Sequence, residues 1–346
     1  MQPKTRGATS SASTHQVRGS AGKDRAVLEG TVAELGEFGL IDLLTGVLGT
    51  AQPSAGGSVL VGPGDDSAVV DFDGARIVIS TDAMVEDVHF KRSWSSGEDV
   101  GVRAAAANLA DIVAMGATPT VLVVALGVPP DLQVEWVLEL ARGLRHEADR
   151  LGVRVVGGDV VQSPVVSLAV TALGALGGDE PVRRSGAQVG DVVAVCGRLG
   201  WAAAGLAVLM RGFRSPRAVV DAHRRPAIDY DAVMTARDIA TSMCDVSDGL
   251  VSDAGHVAHA SGVRLALSTD ELSPEQALLD VGAALGDDPR SWILTGGDDH
   301  AVLATFPPQV SLPPGWRAVG IVEAGAGVTV DGREYALPGG HAHFSA

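Results

Sequence analysis

The chain has 346 residues, 46% of them hydrophobic and only 4% aromatic, with a formal net charge of −16. That length suits two domains of ordinary size and leaves ample Val, Leu, Ile and Ala for a core. The charge argues against a nucleic-acid binder or a protein of anionic membrane surfaces, whose affinity rests on Lys and Arg. An acidic enzyme that binds phosphates needs divalent cations to supply positive charge. Lysine occurs only at Lys4, Lys23 and Lys91, so a side-chain phosphate clamp falls to arginine, whose planar fork suits bidentate contacts. Cys196 and Cys244 lie far apart in apolar contexts and read as small buried hydrophobes, as in a reducing cytosol.

Residues 1–28, with basic residues among Ser, Thr and Gly, read as a tail without a signal-peptide core. Thr31 to Gly49 carries Leu35, Phe38, Ile41, Leu44 and Leu48 at helical spacing. Ser58–Val61, Ala68–Asp71 and Ile77–Ser80 read as strands, the last two joined at Asp73-Gly74. Glu98 to Gly116 reads as an Ala-rich helix that places Asn108 and Asp111 on one face. A strand over Val121–Leu126, a helix from Asp131 to Leu151, and strands over Val153–Val156 and Val165–Leu176 follow. A second unit begins near Pro181, with strands at Val192–Cys196, Val263–Leu267, Ala301–Phe306 and Ala318–Val322. Its helices are expected over Trp201–Met210, Tyr230–Ser242 and Gly249–Ser261, with a polar surface segment over Arg211–Pro226. No apolar run approaches the ~20 residues that span a bilayer. The pattern predicts an α/β (α+β) protein with mostly non-parallel sheets, divided as a tail (1–28), an N-terminal domain (29–178) and a C-terminal domain (179–346).

Aspartates recur in one setting, beside Gly, Ser or Thr at the end of an apolar run. They fall in Gly64-Asp65-Asp66, Ser80-Thr81-Asp82, Gly157-Gly158-Asp159, Asp245-Val246-Ser247-Asp248-Gly249 and Gly296-Gly297-Asp298-Asp299. Carboxylates at strand ends converge at one edge of a sheet. Magnesium takes oxygen ligands and bridges carboxylates to substrate phosphates, so such a cluster implies metal and phosphate together. Read singly, each Asp is equally well a turn residue or a helix cap. The coincidence of several in one chain favours the metal site. No G-x-x-x-x-G-K-[ST] loop is present, Asp71-Phe72-Asp73-Gly74 lacks the other protein-kinase signatures, and Gly62-Pro63-Gly64 does not continue as a dinucleotide fingerprint. His256 and His259 read as surface or core histidines rather than zinc ligands.

In series, these motifs resemble thiamine-monophosphate kinase. The resemblance rests on Gly36-Glu37-Phe38-Gly39-Leu40-Ile41, Gly64-Asp65-Asp66, Ser80-Thr81-Asp82 with His89-Phe90, and Asn108-Leu109-Ala110-Asp111 with Ala114-Met115-Gly116-Ala117. It continues through Gly157-Gly158-Asp159, Arg184-Ser185-Gly186-Ala187, Asp245 to Leu250 with Ser252-Asp253, and Gly296-Gly297-Asp298-Asp299. The Asn-x-x-Asp-x-x-x-Met-Gly stretch is shared with a wider superfamily that includes aminoimidazole-ribonucleotide synthetase.

The resemblance implies a two-domain protein whose N-terminal, ferredoxin-like sheet domain pairs with its twin in a homodimer, beside a C-terminal α/β domain. It implies a cytoplasmic enzyme that uses ATP and magnesium to convert thiamine monophosphate to thiamine diphosphate. Carried over by position, Asp66, Ser80, Thr81, Asp82, Asp111, Asp159, Asp245 and Asp248 would bind magnesium. Gly158, Asp159, Arg184 and Ser247 would contact ATP, and His89, Asp298 and His341 the substrate. Asp82, Asp111 and Arg184 would carry catalysis. Two departures stand out: the family usually has Glu-Asp-Tyr where this chain has Asp298-Asp299-His300, and an aromatic residue where it has His341. The alternatives are another ATP-dependent synthetase of the superfamily and a non-catalytic dimeric nucleotide-binding protein.

Overall fold

The structure is a computed structural model, and it describes residue 39, residues 58–62, 64–72, 74–176 and 179–335. The expected tail, His341 and, apart from helical Gly39, the helix over Thr31–Gly49 lie outside the described residues.

The first sheet contains β1 (Ser58–Val61), β2 (Ala68–Phe72), β3 (Ala75–Val85), β4 (Thr118–Val128), β5 (Arg154–Gln162) and β6 (Ser167–Ala175). Its order is β1-β2-β3-β6-β4-β5, antiparallel throughout except for the β4–β5 pair. Helices α1 (Gly97–Ala114) and α2 (Val134–Asp149) cover one face. Burial alternates along β6, as expected of a sheet with one covered face. α1 starts at a capping box: the Ser96 hydroxyl accepts from the Asp99 amide, and the Asp99 carboxylate accepts from the Ser96 amide at 2.9 Å. α1 and α2 touch backbone to backbone. A Cβ on Gly101 would lie 2.1 Å from the Leu140 carbonyl oxygen, and one on Gly143 2.1 Å from that of Glu98.

The second sheet contains β7 (Val192–Cys196), β8 (Ser242–Val246), β9 (Arg264–Leu267), β10 (Ala301–Phe306), β11 (Trp316–Glu323), β12 (Gly327–Val330) and β13 (Arg333–Glu334). Its order is β13-β12-β9-β11-β7-β10-β8, with only β9–β12 parallel. Its helices are α3 (Trp201–Met210), α4 (Arg217–Arg224), α5 (Tyr230–Met234), α6 (Leu250–Ser261), α7 (Gln276–Leu285) and α8 (Pro289–Thr295). The fold class expected from the sequence, α/β (α+β), is the one observed, and both sheets are mainly antiparallel. One apolar cluster runs from the first sheet through α1 into Tyr230, Val233, Met243, Phe306 and Trp316, so α1 is packed from both sides. A second cluster fills the space between the second sheet and α3, α6, α7 and α8.

Several expected boundaries move. β3 runs on through Ser80-Thr81-Asp82 to Val85, and β5 runs through Gly157-Gly158-Asp159 to Gln162. Both aspartates therefore lie within strands rather than at strand ends. The helix expected over Tyr230–Ser242 stops at Met234, and Arg211–Pro226 contains a helix, α4.

Candidate active site

Three segments meet beside α1. β3 contributes Ser80 and Asp82, which share the face turned toward α1 with buried Val78 and Met84. α1 contributes Asn108 and Asp111, both buried. The Ser80 hydroxyl donates to Asp111 Oδ2 at 2.5 Å, and the Asp82 amide donates to Asn108 Oδ1 at 3.0 Å. The loop before β2 contributes Asp66, and the end of β8 contributes Asp245, which is buried. Ligand atoms of Asp66, Cys244 and Asp245 lie within 4.8 Å of one another.

The electrostatics of this arrangement are unfavourable without a ligand. Burial raises the Asp111 carboxyl well above the usual carboxylate range, and the nearby Asp245, Asp82 and Asp66 raise it further, against the Ser80 bond. Asp66, whose side chain is fully buried, is pushed up to about 7 by burial and by Asp245 and Asp65, against the pull of Arg184. Arg184 Nε donates to Asp66 Oδ1 at 2.8 Å and a second guanidinium nitrogen also contacts it. Asp66 Oδ2 is buried with no hydrogen-bond partner among the described residues. An orphaned buried oxygen among mutually repelling carboxylates fits a divalent cation.

Asp65 is structural: its carboxylate accepts from the amides of Asp66 and Arg184, each at 3.1 Å. Asp299 also has a defined task. Its two oxygens accept from the amides of Trp201 and Ala202 at 3.0 and 2.9 Å, capping α3, whose own N-cap residue is Gly200. Burial pushes Asp299 up to about 7, against backbone hydrogen bonds from the start of α3 and the charge of Arg198.

The loop 296–300 presses on the loop after β8. A Cβ on Gly297 would lie 2.2 Å from the Ser247 carbonyl oxygen, which accepts from the Asp298 amide at 2.9 Å. Asp298 and His300 both have positive φ, 67° and 50°, a conformation that costs a non-glycine residue on the order of 1–3 kcal/mol. Asp298 pairs with Arg103 of α1 at 2.7 Å. Burial works against its ionised form, yet Arg103, His300 and His223 together hold it down to about 2. His300 Nδ1 lies 3.4 Å from Asp245 Oδ2; burial lowers its pKa, but the Asp245 bond and the charges of Asp245, Asp298 and Asp82 together outweigh this and raise it.

A second trio, Asp248, Asp253 and His256, brings its ligand atoms within 4.8 Å. The amides of Asp248 and Gly249 donate to Asp253 Oδ2 at 3.1 and 3.0 Å, at the start of α6. Burial, then Asp245 and Asp248, raises Asp253 well above its usual range. His256, read from sequence as a surface or core histidine, belongs to this trio.

Two residues expected as ligands face elsewhere. The Thr81 hydroxyl points to the other side of the sheet, donating to the Val170 carbonyl at 3.1 Å and contacting Thr171; strand alternation separates it from Ser80 and Asp82. Asp159 lies on β5, exposed along its length, and pairs with Ala125, whose face is also the uncovered one. Gly158 falls in the cross-strand row of Asp82, Val170 and Val124, three strand spacings or about 14 Å from Asp82. His89 lies on the loop after β3, its Nδ1 accepting from the Val85 amide at 3.0 Å.

Residues 64–176 match the N-terminal domain of AIR synthase related proteins. A thiamine-monophosphate kinase of Mycobacterium tuberculosis is 44% identical over 308 residues, which cover 88% of this chain and 90% of that one. The chain belongs to the thiamine-monophosphate kinase family. A relative of the same name from Aquifex aeolicus is 34% identical, with 90% of this chain and 99% of that one covered. A solved structure described as AaThiL complexed with AMPPCP and TMP superposes with a TM-score of 0.82 at 33% identity, covering 91% of this chain and 99% of that one. A hydrogenase maturation protein from E. coli, 22% identical with a TM-score of 0.61, shares the fold.

Family motifs thus account for Asp66, Ser80, Asp82, Asp111, Asp245 and Arg184, which the fold brings together. Sequence reasoning missed Arg103, Cys244, His256 and His300. Arg103 left one signal: it is the single basic residue of α1.

Proposed function

We propose that the chain transfers the γ-phosphoryl group of ATP to thiamine monophosphate, giving thiamine diphosphate and ADP in the cytoplasm. The observation that carries this reading is the set of buried, mutually repelling carboxylates at Asp66, Asp111 and Asp245, with the orphaned Asp66 Oδ2 among them. Asp66, Ser80, Asp82, Asp111, Asp245 and Asp248 would hold magnesium, which neutralises phosphate charge in the transition state. The substrate phosphate, already a nucleophile, attacks in line and requires no strong protein base. Arg184 exchanges its bond to Asp66 for the ATP phosphates, helped by Ser247, while Gly158, three strands away, would reach ATP only at a distance from this cluster. Asp298, held ionised by Arg103, faces the cationic substrate, with His89 and His341 as its further contacts. What this chain supplies is position and charge.

The open face of the first sheet supports a homodimer. Val123 and Val161 are exposed there, and Val155, Val156 and Val160 are exposed along the edge strand β5; an apolar sheet edge of this kind is a pairing surface. A second copy on this face would bring Thr81 and Asp159 to the interface, where their metal and ATP roles become possible. The test is incubation with ATP, magnesium and thiamine monophosphate, with the product identified by mass. The reading expects thiamine diphosphate and ADP in equal amounts. Nucleotide turnover without thiamine diphosphate would point to another synthetase of the superfamily.

A further inference from the structure

Cys244 is the third member of the first carboxylate trio, and neither the phosphoryl transfer nor the core needs a thiol there. A buried cysteine ordinarily acts as a small hydrophobe. Cys196, on β7, fits that description: it is buried and belongs to no ligand group among the described residues. Cys244 is placed differently. Its Sγ lies 3.4 Å from Asp66 Oδ1 and 3.2 Å from the Asp245 carbonyl oxygen, and it shares the 4.8 Å cluster with both carboxylates. The second observation does not involve the sulfur: Oδ2 of Asp66, a member of this cluster, is buried with no hydrogen-bond partner among the described residues.

We propose that Asp66, Cys244 and Asp245 form a binding site for a thiophilic divalent cation, zinc or cadmium, in which the Cys244 sulfur is a ligand and whose occupation inhibits the enzyme. The proposal rests on the reading of Asp66 and Asp245 as ligands of the catalytic magnesium.

The chemistry of the donors decides the metal. Two carboxylates alone suit magnesium, which ignores sulfur. One thiolate beside two carboxylates suits zinc and cadmium, because soft ligands select soft cations. Tetrahedral zinc holds its ligands about 3.3–3.8 Å apart, given bonds of about 2.0–2.3 Å. The three side chains are within about an ångström of that spacing already. The thiol proton passes to solvent as the metal–sulfur bond forms, and a water completes the coordination. Arg184, bonded to Asp66 Oδ1, competes with the entering cation and sets the concentration at which it binds. Once bound, the cation withholds Asp66 and Asp245 from magnesium, so the same event that binds zinc removes two ligands of the working metal.

The test uses the full chain, freed of metal with a chelator and then titrated with cadmium while the thiolate-to-metal charge-transfer absorption is followed. Wild type should develop this band at one cadmium per chain. Cys244→Ser and Cys244→Ala should lose the band and bind cadmium at least about 10-fold more weakly, since losing even an outer partner of a metal ligand costs about 10- to 100-fold. Cys196→Ser should keep both. A second arm measures inhibition by zinc of magnesium-supported turnover, where the inhibiting concentration should rise at least tenfold in Cys244→Ser. A full-strength band in both Cys244 variants, or its absence from folded wild type, overturns the inference. Loss of the band in Cys196→Ser overturns it as well. Failure of the functional reading is distinguishable: the chain would then give no thiamine diphosphate with magnesium alone, whatever cadmium does.

Discussion

Replacing Asp66 with Asn should make the ligand-free chain more stable at pH 8 while abolishing turnover. Asp66 is pushed from 3.8 up to about 7 in the folded chain by burial, reinforced by Asp245 and Asp65 and opposed by Arg184. A group whose folded value is raised contributes stability that is fully present below its unfolded value and is lost as pH rises through the folded one. At about 1.36 kcal/mol per pH unit, ionised Asp66 costs the folded chain about 4 kcal/mol at pH 8. Asn mimics the protonated carboxyl, keeps an oxygen for Arg184 and carries no such cost. The Asn variant should therefore exceed wild type by about 4 kcal/mol at pH 8, by roughly 1–2 kcal/mol at pH 5, and by almost nothing below about pH 3. Groups that titrate alike in both proteins cancel in this difference. Urea denaturation with a chelator present, at several pH values, measures it. Millimolar magnesium with ATP should then close the gap by stabilising wild type alone. Equal stability at pH 8, or a variant less stable than wild type there, would sink the account of Asp66 as a strained metal ligand.

Asp298→Asn should lower kcat/KM for thiamine monophosphate roughly 10- to 100-fold, the value of a charged hydrogen bond of about 1.5–3 kcal/mol. Steady-state kinetics should find the KM for ATP unchanged, and a matching change in both constants would refute a substrate-specific role. Asp299→Ala removes the side-chain cap of α3, and should cost about 1–3 kcal/mol in chemical denaturation. Val160→Lys on β5, where Val160 is 67% exposed, should leave the fold intact and convert a dimer to a monomer in sedimentation analysis; an unchanged mass would remove β5 from the interface.

The sequence revealed the order of the site better than its shape. Apolar runs located both sheets, and Gly64-Asp65-Asp66 and Asp245 to Asp248 led to residues that do converge. β3 was expected to stop at Ser80, before the polar Thr81 and Asp82. The strand continues because tertiary partners satisfy them, Asn108 taking the Asp82 amide and Val170 the Thr81 hydroxyl. Gly157-Gly158 looked like a break in β5 for a similar reason. Gly158 is instead demanded by packing, since a Cβ there would lie 1.9 Å from the Val124 carbonyl oxygen. Local pattern carries no information about either partner. The same limit hid His300 and Arg103: what makes them part of the site is the distance to Asp245 and Asp298, residues far away along the chain.

The pairing of Arg184 with Asp66 has a consequence for how ligands arrive. In the ligand-free chain the guanidinium is the nearest positive charge to Asp66, and Asp66, Asp245 and the neighbouring Cys244 in turn raise its pKa, against burial. When Arg184 turns to ATP phosphates, Asp66 is left beside Asp245 and Asp111 without compensation, a state that costs several kcal/mol unless a cation enters. Nucleotide and metal binding are therefore coupled through one side chain. Without nucleotide, Arg184 should act as a competitor of the metal, and Arg184→Ala should bind manganese, a spectroscopic substitute for magnesium, more tightly than wild type. A coupling of about 1–3 kcal/mol corresponds to roughly 5- to 150-fold. Electron paramagnetic resonance titration of both proteins without ATP measures it. Identical manganese affinities would mean that Arg184 does not occupy the place of the metal's charge, and the Asp66 pair would then be a structural salt bridge.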